Sequence, residues 1–131
     1  MRRLSAIAAC LLLAAPAAGQ QMLSGIGAEI RILDKLTGAV TDLALRNGQS
    51  DAFGALSVTL NDCRYPADHV ASDGYAALMI HSRNQVTPVF AGWMLASSPA
   101  LNALDHPRYD VWVLRCITSL DAGTAVENRA D

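Results

Sequence analysis

Serine, histidine and aspartate meet in one stretch of this chain, Phe90 to Cys116, and these types are the raw material of nucleophilic catalysis. Ser97 or Ser98, His106 and Asp110 could form a relay in which a carboxylate orients an imidazole that takes the proton of a hydroxyl. Neither serine sits in a Gly-x-Ser-x-Gly elbow. Ser98 also reads as the cap of a short helix with Pro99 at its first position, and His106 before Pro107 as the residue that ends it. A small hydrolase is therefore the alternative reading, and no catalytic residue is assigned. The signal for metal ligation is equally weak. His69, His81 and His106 are isolated, with no His-x-x-x-His or Cys-x-x-Cys pair, and no cofactor is implied.

The same stretch carries both tryptophans, Trp93 and Trp112. A domain this small has few other large side chains to fill its centre, so the indoles are expected mainly in the core, with a partner-facing role as the alternative. Gly92, inside a strand pattern, suggests a bulge or a close backbone approach. Asp34-Lys35 reads as solvated charge at a hairpin turn.

These residues need elements to position them, and the pattern is β. Ala28, Ile30 and Ile32 alternate with Glu29 and Arg31; Thr37-Gly38 supplies a turn, and Val40 to Arg46 returns. Asn47-Gly48 is a second turn. Gly54 to Leu60 alternates cleanly, and Tyr75 to His81 and Val89 to Leu95 read as further strands. Tyr109 to Ile117 closes the series, with Val111, Val113 and Arg115 on one face and Trp112, Leu114 and Cys116 on the other. A mostly β fold is expected: a small antiparallel barrel or sandwich of about six strands, with one short helix over residues 98–104.

The first residues have a different character. Arg2 and Arg3 precede an apolar run from Leu4 to Ala18 that exits through small residues at Gly19, the layout of a secretory signal peptide over residues 1–19. The run is short for a membrane span of about 20 residues, and no later stretch is apolar enough to span, so no membrane span is expected after cleavage. Ile7-Ala8-Ala9-Cys10 resembles a lipoprotein box but leaves too short an apolar core ahead of Cys10. The remaining expectations are a flexible lead-in over 20–27, one β domain over 28–118 and a disordered tail over 119–131. Once Cys10 leaves with the leader, Cys63 and Cys116 remain, an even pair that reads as a disulfide in an exported chain. Charge excludes some partners. Ten Lys and Arg against twelve Asp and Glu give a net charge of −2, and loss of Arg2 and Arg3 makes the chain more acidic. Nucleic acid and anionic membrane surfaces both need clustered basic residues.

The run from Phe90-Ala91-Gly92-Trp93-Met94-Leu95 through Ser97-Ser98-Pro99 and Asp105-His106-Pro107-Arg108-Tyr109-Asp110-Val111-Trp112, followed by Cys116, resembles the signature of domain of unknown function 2155. Upstream, Leu33-Asp34-Lys35-Leu36-Thr37-Gly38, Gly54-x-Leu56 and Cys63 are similar to its other features. The resemblance spans Ala28 to Ile117 and implies an exported alphaproteobacterial protein with paired cysteines and a small β fold. It transfers no catalytic residues. The leading expectation is a periplasmic, non-catalytic binding or envelope-assembly module. Its contact surface would be built from Trp93, Met94, Ser97, Ser98, His106, Tyr109 and Asp110, and its partner would be an envelope protein or cell-wall component. A purely structural accessory domain, with the signature serving the fold, is a further alternative, and oligomeric state is left open.

Overall fold

The structure is a computed structural model that describes residues 15–68 and 73–119. Residues 1–14 of the expected leader, His69, and residues 120–131 of the expected tail lie outside the described residues. The alternating apolar segments form strands as the pattern demands. They are β1 (Met22–Ser24), β2 (Gly27–Asp34), β3 (Val40–Arg46), β4 (Ser50–Phe53), β5 (Leu56–Pro66), β6 (Tyr75–Ser82), β7 (Phe90–Leu95) and β8 (Tyr109–Ile117). The fold is mostly β, with two antiparallel sheets. One has the order β1-β5-β6-β7 with β4 also on β5; the other has the order β3-β2-β8.

Two short strands go beyond the six expected. β5 is 11 residues long, and one of its sides is shared: β4 pairs with its first half and β1 with its last three residues. The lead-in expected over residues 20–27 thus contains a paired strand, because the long β5 would otherwise leave its backbone groups open there. The short helix is also absent in the expected form. Residues Pro99–Leu101 make one 3₁₀ turn, Ser98 makes no side-chain capping bond, and the Ser98 carbonyl accepts the Leu101 amide at 3.1 Å instead.

The two sheets share one core. Ile30 and Ile32 from β2, Leu45 from β3, Leu56, Val58 and Leu60 from β5, and Leu78 and Ile80 from β6 are almost wholly buried. Val111 and Val113 of β8 and Phe90 and Met94 of β7 complete it. The tryptophans are not in it: Trp93 is 41% exposed and Trp112 half-buried. Tyr109, 2% exposed, takes the place expected of an indole.

Strict alternation would turn both cysteines away from this core. Each is brought inward by one extra residue. On β5 the register slips between Leu60 and Asp62, so Asn61 is inserted and the inward phase passes from Leu60 to Cys63. On β8 the partners of Glu29 and Ile30 are Arg115 and Val113, so Leu114 is the insertion and Cys116 turns inward. Cys63 and Cys116 are bonded, with Cα atoms 5.7 Å apart across a separation of 53 residues. The bond ties one sheet to the other, rather than stapling a single sheet across its long loop. The chain changes sheets beside it. The Gly25 amide donates to the Cys63 carbonyl at 2.7 Å and the Ile26 amide to the Ile117 carbonyl at 2.8 Å. A Cβ on Gly25 would lie 3.0 Å from both the Cys116 Cβ and the Ile117 carbonyl oxygen, a tight approach that favours glycine at the crossing.

Candidate functional site

Asp34 ends β2 and pairs in register with Tyr109, the first residue of β8. It continues the inward phase of Ala28, Ile30 and Ile32 and is only 6% exposed. A carboxylate at an inward position requires a charged or hydrogen-bonding partner. That partner is Arg108, whose Nη2 donates to Oδ2 at 2.7 Å and whose Nε donates to both carboxylate oxygens at 3.2 Å. The Leu36 amide adds a bond to Oδ1 at 3.0 Å. The Arg108 bonds lower the Asp34 pKa from 3.8 to about 2, outweighing the opposing effect of burial. Asp34-Lys35 is therefore not a solvated turn charge.

Lys35 completes the junction. Its amide donates to the Arg108 carbonyl at 2.8 Å, its Nζ to the His106 carbonyl at 2.8 Å, and the same Nζ lies 3.5 Å from Oδ1 of Asp110. His106 turns its Nδ1 onto the chain that follows, accepting the amides of Arg108 at 3.1 Å and Tyr109 at 3.2 Å. Its ring lies 5.3 Å from that of Tyr109, and the Arg108 guanidinium also lies 5.3 Å from the Tyr109 ring centre. Tyr109 then reaches across to the other sheet. Its ring meets Phe53 edge-on at 6.0 Å and its hydroxyl accepts the Ala55 amide at 3.2 Å. Residues 33–38 and 104–110 are thus latched to each other, and through Tyr109 to the β4–β5 turn.

This arrangement bears on each residue singled out from sequence. His106 is not a helix terminator but the acceptor of a tight turn. With Nδ1 occupied by two amides its neutral ring carries its proton on Nε2, which leaves no free basic nitrogen for a serine. Asp110 faces Lys35. The catalytic relay of Ser97 or Ser98, His106 and Asp110 is not the geometry that these groups adopt. Of the expected contact surface, Met94 and Tyr109 lie in the core at 3% and 2% exposure. Trp93 and Ser97 are exposed, while Ser98, His106 and Asp110 are half-buried. Asn102 holds the 3₁₀ segment against β7 by donating to the Trp93 carbonyl at 2.9 Å. It also lies 3.2 Å from where a Cβ on Gly92 would stand, the approach of a side-chain amide rather than the bulge or backbone approach expected there.

Sequence reasoning missed Arg108, Lys35 and Phe53. The available signal was Asp34 itself, an acid in phase with three core residues, which calls for a buried partner.

Comparison with known proteins adds a family. A family model described as "uncharacterized protein conserved in bacteria (DUF2155)" matches residues 28–116, which include both halves of the latch and both bonded cysteines. An uncharacterized protein of Rickettsia prowazekii (strain Madrid E) is 29% identical over 91 residues, covering 67% of this chain and 59% of that relative. The match therefore spans under two thirds of the relative's length. No solved structure matches the chain.

Proposed function

We propose, from the premise that this chain belongs to the bacterial DUF2155 family, that it is exported to the periplasm and acts there as a non-catalytic binding module for an envelope protein. Export is supported by the basic head and apolar run ahead of Gly19 and by the Cys63–Cys116 bond, a linkage that persists in oxidising compartments.

The observation that carries the binding role is the outer face and open edge of β7. The pairs Tyr75–Leu95, Ala77–Trp93 and Met79–Ala91 put six apolar side chains on the solvent side of β6 and β7, and Trp93 and Ala91 are the most exposed of them. Among the described residues β7 pairs with β6 alone, and of its outer backbone groups the Trp93 carbonyl is occupied by Asn102. Sheet edges are ordinarily guarded by charge, as the edge strand β3 is by Asp42 and Arg46. No charged residue occurs between Arg83 and Asp105. An uncharged edge beside an apolar face suits the addition of an extended apolar segment from a partner.

Two measurements test this reading. The mass of the purified protein should correspond to a chain starting after the leader with one disulfide; an intact Met1 or free thiols at Cys63 and Cys116 overturns the export step. A photo-crosslinking residue at position 93 should give a discrete adduct in the envelope fraction that Ala91→Lys abolishes, while the same residue at position 46 gives none. Identical products from both positions overturn the binding role.

A further inference from the structure

A cleft of about 210 Å³ opens at the end of the β5–β6 hairpin, lined by Ala52, Ala55, Ser57, His81, Ser82 and Arg83 among others. Sites for drug-sized ligands run from roughly 300 Å³ upward, so the space suits one small group. Its polar side chains are unspent. Ser57 and His81 stand opposite each other across β5 and β6, and among the described residues neither they nor the Ser82 hydroxyl has a side-chain hydrogen-bond partner.

The cation is also unusual in this molecule. Arg31, Lys35, Arg64, Arg108 and Arg115 each pair with a carboxylate. Among the described residues Arg83 and Arg46 do not, and of these two Arg83 lines the cleft. Its Nη2 donates to the Gly54 carbonyl at 3.1 Å, which holds the guanidinium at the mouth, and among the described residues Nε and Nη1 have no acceptor. The wall is fixed from behind. The Tyr109 hydroxyl fills the space a Cβ on Gly54 would need, Gly54 has φ +56°, and the same hydroxyl accepts the Ala55 amide.

We infer that this cleft binds a carboxylate carried on a small apolar body. Arg83 provides a planar fork for the two oxygens from the second Nη2 hydrogen together with Nε or Nη1, Ser57, Ser82 and His81 provide further donors, and Ala52 and Ala55 receive the apolar part. One fixed positive charge matches a monoanion, and the net charge of −2 on the chain disfavours polyanions.

The experiment is a nuclear magnetic resonance titration of the full, disulfide-bonded chain with N-acetylalanine and, separately, with its uncharged amide. The acid should shift the backbone signals of Ala55, Ser57, Ser82 and Arg83 saturably, and the amide should not. Arg83→Gln should weaken binding about tenfold, the weight of one charge-assisted hydrogen bond, while Arg46→Gln leaves it unchanged. No shifts, equal shifts from acid and amide, or full binding by Arg83→Gln overturns the assignment.

Discussion

The latch around Asp34 and the cleft beside Arg83 are both built on an arginine next to a β-turn, and both touch Tyr109, yet they spend their polar groups in opposite ways. At the latch Arg108, Asp34, Lys35, His106 and Asp110 are bonded to one another or to backbone. At the cleft Arg83 makes one bond to a carbonyl, while Ser57, His81 and Ser82 make no side-chain bonds among the described residues. The difference teaches where to look for recognition. A dense signature of Ser, His, Asp and Arg can be architecture when its members satisfy each other, whereas groups left unsatisfied at a concave surface remain available to a ligand.

The largest effect belongs to the bond that holds the two sheets in one frame. Reducing Cys63–Cys116, or replacing both cysteines by alanine, is expected to remove about 4 kcal/mol of stability for a closed loop of this length, read by denaturant unfolding with and without reductant. The next effect is acid sensitivity at the latch. The unfolded carboxyl of Asp34 titrates near its ordinary 3.8 and the folded one near 2, so the ion pair stabilises the fold fully above pH about 4. That stabilisation is lost as pH falls through about 2. Wild-type protein should lose thermal stability over this window, and Asp34→Asn should be less stable at neutral pH and lose less; equal pH profiles would show that the pair contributes nothing.

Smaller still is Tyr109→Phe, which deletes the hydroxyl that receives the Ala55 amide and should cost about 1 kcal/mol. Because this group joins the regions, the variant should also displace the Ala55 signal and weaken carboxylate binding; a stability loss with an unmoved cleft would separate them. The smallest stability effect is expected at Arg83→Gln, within about 0.5 kcal/mol because the side chain is exposed, although it has the largest effect on binding. A large destabilisation there would make Arg83 another structural arginine and erase the contrast.

Much of the frame is legible in the residues. The two-residue rhythm of Ala28-Ile30-Ile32, Leu56-Val58-Leu60 and Val111-Val113 names the inward faces, and these are core residues. Thr37-Gly38 and Asn47-Gly48 lie in turns where the glycines have positive φ, a conformation costly for any side chain with a Cβ. The pairing of Cys63 with Cys116 is the one that remains when Cys10 is assigned to the expected leader. The helix over 98–104 failed because Ser98-Pro99 is a start signal with too short a run behind it, and one turn is marginal without packing to support it. The buried indoles failed because size alone does not decide burial; the β7 register sends Trp93 outward opposite Ala77, and the inward neighbour Met94 fills the core.

The residues alone name the turns and the inward faces ahead of the bulges, both of which depend on neighbours within a few positions, and, with Cys10 assigned to the expected leader, the two cysteines that bond. Tertiary structure alone decided the bulges at Asn61 and Leu114 that turn those cysteines inward, the partnership of Asp34 with Arg108, and that Arg83, one of two arginines without a carboxylate among the described residues, lines a cleft. The physical reason is range. Alternation and turn preference are local energies, but a register slip or an ion pair between residues 74 apart is chosen by whichever strands meet across the core.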